Sequence, residues 1–337
     1  MKKKLALLLV AAMMAGLLAG IGSALANDDS IKIGISLPTQ REERWVLDKE
    51  GFEKAALEAG IEISIQIADN DAGRQQSQCE NLLSQGIDAL IIAPHDEEAA
   101  KNIVELAHAE GVPVISYDRL IANADVDLYV TFDQYYIGWL MGAFLDKHLE
   151  SGNIVFLKGD PGDSTCVPLA QGAKDAIADK IASGAYTIVA EQDCRDWEPN
   201  EALKHMENAL TANNNDIQGV IAPNDGTAGG VIQALAAQGL AGKVFVTGQD
   251  CETDAVKRVI EGTQSMTVFF DTGLMSAAAF EAAVKMAKGE DPGASGDPEN
   301  NGFKDVPVLQ FPAAEVTPDT YFALLIESGY MSEDDLK

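Results

Sequence analysis

Cations are scarce in this chain of 337 residues: 24 Lys plus Arg stand against 53 Asp plus Glu, a formal charge of −29. A nucleic-acid face needs a surplus of cations to displace counterions, and so does docking on an anionic membrane surface, so both partners are disfavoured. Histidine is also rare. His95, His108, His148 and His205 have no Cys or Ser partner at a catalytic spacing. There is no G-x-S-x-G elbow and no H-E-x-x-H helix. Gly242-Lys243 lacks the glycine five positions earlier that a P-loop needs. Ile33-Gly34-Ile35-Ser36 stands where a dinucleotide fold would carry G-x-G-x-x-G. Cysteine is limited to Cys79, Cys166, Cys194 and Cys251. Their spacings fit no zinc site, and no metal or other cofactor is expected. Pairing, Cys166 with Cys194 included, stays open. A chain that is 47% hydrophobic can build a core without staples, so free buried thiols are expected.

Long apolar runs are absent except at the start. Lys2, Lys3 and Lys4 precede an apolar stretch from Leu5 to about Gly22, and Ala24-Leu25-Ala26 then offers a small-x-small cleavage pattern. Residues 1–26 read as a secretory signal peptide, which places the mature protein in the periplasm or otherwise outside the cytoplasm. An uncleaved anchor is the alternative, because the run approaches spanning length.

What is present is alternation. β-Branched runs recur at Ile31–Leu37, Ile61–Ile67, Ala89–Ala93, Val112–Ser116 and Leu128–Phe132. They recur again at Ile154–Lys158, Tyr186–Ala190, Gly219–Ala222, Val244–Thr247 and Met266–Phe269. Helical patterns lie between them, such as Trp45–Ala59 before Gly60, Ala99–Glu110 before Gly111, Glu201–Leu210 and Ala228–Gln238. Glycine just past the last apolar turn is a C-cap signal. Strands apolar on both faces, alternating with helices, predict parallel sheets covered on both sides. The repetition predicts an α/β chain of two doubly wound lobes, with one continuous ten-stranded sheet as the alternative. Thr272–Lys288 reads as a helix on one lobe after the chain has changed lobes, and Gly289–Pro307 as a surface loop. Trp139, on an apolar helix with Leu140 and Phe144, is expected in the core.

Open parallel sheets bind ligands beyond the carboxyl ends of their strands. Arg44 and Trp45 follow the first strand there, Asp118 and Arg119 the fourth, and Asp163 and Thr165 the first of the second series. Trp197, Asn224, then Gln249 and Asp250 follow later strands. Planar Arg, Asp and Asn groups can bridge adjacent hydroxyls in bidentate fashion, and an indole covers the C–H face of a sugar. The set suits a neutral polyol. Each residue also has a plainer reading: Asp225 caps the following helix, and Asp118–Arg119 forms a surface ion pair.

Longer motifs then carry a resemblance. Asn208-Ala209-Leu210-Thr211-Ala212-Asn213-Asn214-Asn215, Pro223 to Gly230, Gly248-Gln249-Asp250, Tyr117 to Ile121 and Gly262 to Val268 closely resemble the family of periplasmic sugar-binding proteins that includes D-xylose-binding and multiple-sugar-binding members. Leu37-Pro38-Thr39 with Arg44-Trp45, and the tail from Asn301 to Lys337, are similar to it too. The resemblance implies a type I periplasmic-binding-protein fold, two parallel-sheet lobes joined by a three-stranded hinge. Residues 27–132 and 271–308 would form the N-terminal lobe, and 133–270 and 309–337 the C-terminal lobe. The hinges would lie near Phe132–Asp133, Phe269–Asp271 and Pro307–Phe311. The implied protein is a monomer and not an enzyme. It binds a monosaccharide, D-xylose or a related aldose, and hands it to the membrane subunits of an ABC permease, with a chemoreceptor as a further partner.

By motif the sugar contacts would be Arg44, Trp45, Asp118, Arg119, Asp163, Trp197, Asn224 and Asp250. Two departures touch the site: Asp163-Ser164-Thr165 replaces the family's Asp-Asn-Asn, and Phe270 stands in place of its Lys. Two other classes compete. A LacI-type repressor needs an N-terminal helix-turn-helix where the signal segment stands. A secreted carbohydrate-active enzyme would use Asp118, Asp163 and Asp250 as paired carboxylates.

Overall fold

The structure is a computed structural model that describes residues 31–337; the expected signal segment at 1–26 lies outside them. The first lobe runs β1 (Lys32–Leu37), α1 (Glu43–Ala59), β2 (Glu62–Ile67), α2 (Ala72–Ser84), β3 (Ala89–Ile92), α3 (Lys101–Ala109), β4 (Val114–Tyr117) and β5 (Leu128–Phe132). Its strands pair in parallel in the order β2-β1-β3-β4-β5. Every residue of β3 is fully buried, as a central strand covered on both faces must be. Leu90, Ile91 and Ile92 each stabilise the fold by roughly 2 kcal/mol. α1 stops at Gly60, whose left-handed backbone (φ 66°) lets its N–H close on the carbonyls of Ala56 and Leu57.

The second lobe runs α4 (Gln134–His148), β6 (Gly152–Lys158), α5 (Cys166–Ala176), α6 (Ala178–Ala182), β7 (Tyr186–Asp193), α7 (Pro199–Ala212), β8 (Gly219–Ile221), α8 (Asp225–Ala237), β9 (Phe245–Val246), α9 (Thr253–Glu261) and β10 (Thr267–Phe269). Its parallel sheet has the order β7-β6-β8-β9. β10 lies alongside the segment after β9, where Val268 N–H donates to Gly248 O and Asp250 N–H to Val268 O, both at 3.1 Å.

The chain then returns. α10 (Thr272–Ala287) packs on α1 and β3 of the first lobe. The stretch expected as a plain loop contains a short hairpin, β11 (Glu299–Asn300) with β12 (Asp305–Val306). β13 (Val308–Phe311) adds to the first sheet beside β5, and β14 (Ala314–Val316) pairs with β10 of the second lobe. Two separate sheets replace the ten-stranded alternative. The chain thus changes lobes after Phe132, after Phe270 and after Phe311. Residues 308–311, at the third expected crossing, form a strand of the first sheet. Rings from all three crossings meet: Phe132 lies 4.3 Å from Phe270 and 6.3 Å from Phe311, centroid to centroid.

Trp139 corrects an expectation. It is 41% exposed and stacks on Tyr136. α4 turns Gly138 and Gly142 against α5 so closely that an added Cβ on Gly138 would meet Leu169 O at 1.9 Å. That contact fixes the inward face and leaves Trp139 outside, while Leu140 and Phe144 are buried. All four cysteines are buried and free. Among the described residues no helix is long and apolar enough to cross a membrane.

Candidate binding cleft

The carboxyl ends of both sheets face one cleft between the lobes. All ten expected residues line it: Arg44, Trp45, Asp118 and Arg119 from the first lobe, Asp163, Thr165, Trp197, Asn224 and Asp250 from the second, and Phe270 at a crossing.

On the first-lobe side, α1 supplies Arg44 and Trp45. The Arg44 guanidinium donates to Asp118 Oδ1 at 2.7 Å and to Asp48 Oδ2 at 3.2 and 3.0 Å. Tyr117 donates its hydroxyl to the other Asp48 oxygen at 2.5 Å. Burial works against the Arg44 charge, but the carboxylates of Asp118, Asp48 and Asp250 outweigh it and keep the group ionised. Burial also lifts Asp48, to about 6, against the pull of Arg44. The Arg44 guanidinium carbon lies 4.1 Å from the centre of the Trp45 ring, and that of Arg119 lies 5.2 Å from it. The indole, 2% exposed, is thereby fixed in orientation. Asp118–Arg119 is therefore no surface pair. Asp118 binds Arg44 within its lobe, and Arg119 reaches across to Asp163.

On the second-lobe side, Asp163 is the hub. Thr165 donates to its Oδ1 from both N–H (2.9 Å) and hydroxyl (2.7 Å), and Trp197 Nε1 donates to its Oδ2 at 3.1 Å. Arg119 Nε stands 2.7 Å from that same Oδ2, but its N–H is not aligned for a hydrogen bond, so the contact is an ion pair. Burial raises the Asp163 carboxyl, with Arg119 opposing. Trp197 fits because Gly159 has no side chain; a Cβ there would meet the indole at 2.3 Å.

Asn224 is the N-cap of α8: its Oδ1 accepts the Thr227 N–H at 3.0 Å, and its Nδ2 points toward Asp250 Oδ2 at 3.5 Å. Asp225, expected as the cap, is instead a fully buried anchor. It accepts from Gln264 (2.7 Å), Thr267 (2.9 Å) and Glu252 N–H (3.1 Å), and so ties β10 to the loop carrying Asp250. Asp118 (φ 64°), Trp197 (φ 56°) and Asp250 (φ 102°) hold positive backbone angles. Each costs on the order of 1–3 kcal/mol that the surrounding packing must offset. Burial pushes the Asp250 carboxyl well above its ordinary value, with Arg44 opposing.

Glu42 and Gln134 line the cleft beyond the residues placed at strand ends, and Gln249, named there beside Asp250 but not among the expected contacts, lines it too. Gln249 stands beside Asp250 after a strand, and Glu42 lies between the first strand and Arg44, so strand-end position was the available signal for both. Glu42 Oε2 and Gln249 Oε1 are buried, and no donor among the described residues reaches either. Cross-lobe contacts hold the cleft shut. Arg41 pairs with Glu198 and donates to the Asp196 carbonyl, and Leu120 N–H donates to Ser164 Oγ at 2.7 Å.

A profile of the periplasmic binding protein domain matches residues 33–291. The chain belongs to the periplasmic binding protein family. Among curated relatives of this periplasmic binding protein, the D-xylose-binding periplasmic protein of Escherichia coli K12 is 39% identical over 311 residues, covering 92% of this chain and 94% of the relative. The multiple sugar-binding periplasmic receptor of Rhizobium radiobacter is 32% identical and covers 98% of both chains. A solved carbohydrate-transporter solute-binding protein from Chloroflexus aurantiacus, in complex with D-glucose, superposes with a TM-score of 0.85 at 36% identity, over 91% of this chain and 98% of that one. An ABC-transporter solute-binding protein from Clostridium phytofermentans, with bound β-D-glucose, gives 0.84 at 31%, over 91% and 100%.

Proposed function

We propose that this chain captures a monosaccharide, D-xylose or a related aldose, between its lobes outside the cytoplasm and delivers it, as a monomer, to the membrane subunits of an ABC sugar importer. One observation carries the reading. Two indoles and a set of arginine, carboxylate and amide groups, contributed by both lobes, converge on a single cleft. Trp45 and Trp197 offer flat apolar faces for C–H groups, and the planar polar groups offer paired donors and acceptors for neighbouring hydroxyls. The unpartnered oxygens of Glu42 and Gln249 call for O–H donors, which a polyol supplies. Relatives that bind D-xylose or several sugars, and solved neighbours holding D-glucose, support the same class.

The carbohydrate-enzyme alternative is not supported. The proteins it matches are binding and transport proteins, and two of its three carboxylates, Asp118 and Asp163, are held by Arg44 and Arg119.

A thermal-shift screen across pentoses and hexoses tests the proposal. A ligand that binds only the folded state raises the melting temperature with its concentration. At least one aldose should do so, with no product formed on prolonged incubation. No shift with any aldose would sink the reading.

A further inference from the structure

Glu42 occupies the N-cap position of α1 but makes no side-chain cap. Its carboxylate turns into the cleft instead. Arg41 holds Oε1 from Nε (3.0 Å) and from a terminal nitrogen (2.5 Å), and Arg41 is itself pinned by Glu198 and the Asp196 carbonyl of the other lobe. Glu42 is 8% exposed, and its Oε2 meets no donor among the described residues. One oxygen is locked, and the other is buried beside the cleft without a donor. At this point the cleft adjoins a smaller polar cavity, which shares Glu42, Arg119 and Trp197 with it and adds Asn70 and His95.

We propose that Glu42 reads the exocyclic hydroxymethyl group of a hexopyranose, so that the preferred ligand is an aldohexose rather than a pentose. The inference rests on the sugar-binding reading and deepens it. Ring hydroxyls have partners elsewhere, on Asp118, Asn224 and Asp250. A group carried one carbon outside the ring is what reaches a side cavity, and a hydroxyl there donates to the free Oε2. A fixed carboxylate also discriminates by charge. It accepts from O–H, and it repels the carboxylate that a hexuronic acid carries at the same carbon.

Calorimetry with D-glucose, D-xylose, 6-deoxy-D-glucose and D-glucuronate tests this on the wild type, Glu42→Leu and Arg41→Met. D-Xylose is D-glucose without the hydroxymethyl group, so the set isolates that position. The wild type is expected to prefer D-glucose over 6-deoxy-D-glucose by about tenfold, the worth of one hydrogen bond to a charged acceptor. It should bind D-glucuronate weakest of the four. Glu42→Leu should collapse the glucose-to-6-deoxyglucose ratio toward one. Arg41→Met, which removes both a cross-lobe contact and the clamp on Oε1, should lower all affinities and shrink the ratio by less than Glu42→Leu does. Equal wild-type affinity for D-glucose and its 6-deoxy form overturns the assignment. So does an equal loss for D-glucose and D-xylose in Glu42→Leu, which would make Glu42 an anchor for Arg41 only. Wild type that binds D-xylose and no hexose overturns it while sparing the sugar-binding reading. Wild type that binds no aldose overturns both.

Discussion

Glu43 and Glu252 cap each other's helix across the cleft. Glu43, in the first turn of α1, accepts the N–H and hydroxyl of Thr253 at 2.6 and 2.7 Å, where α9 begins in the other lobe. Glu252, just before α9, accepts the Glu43 N–H at 3.3 Å. Each carboxyl group satisfies an orphan donor of the opposite helix, and Glu43 lies at the positive end of α9. These bonds need both lobes in contact, so they belong to the closed state.

Glu43→Ala is therefore expected to weaken sugar binding by about 1–2 kcal/mol, roughly tenfold. The melting temperature without sugar should change little, because each lobe keeps its own core. Small-angle scattering should show the wild type contracting on sugar addition, and the variant contracting only at higher sugar concentration. Equal affinities in the two proteins would show that the paired caps do not contribute to closure.

pH should act through the same contact. Burial, with Asp225, Glu42 and Glu43 close by, pushes the Glu252 carboxyl from 4.5 up to about 8 in the closed protein. Opening exposes it and returns it toward 4.5, so closure takes up a proton between those values. A raised carboxyl favours the closed state fully below the lower value and loses that contribution as pH rises through about 8. Sugar affinity should fall between about pH 4.5 and about pH 8 and level off above that. Titration calorimetry near neutral pH, in buffers of different ionisation heat, should show net proton uptake. Glu252→Gln should flatten both effects; a pH profile identical to wild type would assign the titration to another group.

Asn224 has two duties that substitution can separate. Asn224→Ala removes the α8 cap, costing about 1 kcal/mol of stability. It also removes an amide from the cleft, costing roughly 1–3 kcal/mol of binding. Asn224→Ser keeps a capping oxygen, so stability should recover while affinity stays low. Denaturant titration and calorimetry on the pair check this. Affinity that recovers together with the cap would make Asn224 purely structural.

Phe270→Lys should not restore a sugar-binding lysine. The ring lies against Phe132 at the hinge and 5.5 Å from the Arg44 guanidinium. An ammonium there loses the aromatic packing and faces a like charge. A stability loss of about 3 kcal/mol is expected, with affinity falling by a similar factor for every aldose tested. A reordered ranking among aldoses would instead make this position a selector.

The sequence by itself determined the βα alternation, the glycine stops and the polar residues that follow strand ends. These are local properties. A strand buried on both faces shows as an apolar run, a helix stop as glycine, and the carboxyl end of a parallel strand is where the next few residues must leave the sheet. Arg44, Asp118 and Asn224 were legible for that reason, and the family motifs narrowed the rest.

Tertiary structure decided what depends on partners far along the chain. Asp118 binds Arg44, 74 residues away, rather than its neighbour Arg119. Asn224, not Asp225, is the cap, because Gln264 and Thr267 arrive from β10 and its approach to claim Asp225. Trp139 faces outward because α5 takes the glycine face of α4. Glu42 has a free oxygen because Arg41, pinned from the opposite lobe, holds the other one. No local pattern encodes these choices. Which neighbour reaches a polar group first is set by the packing of two lobes, and that packing exists only once the chain has crossed between them three times.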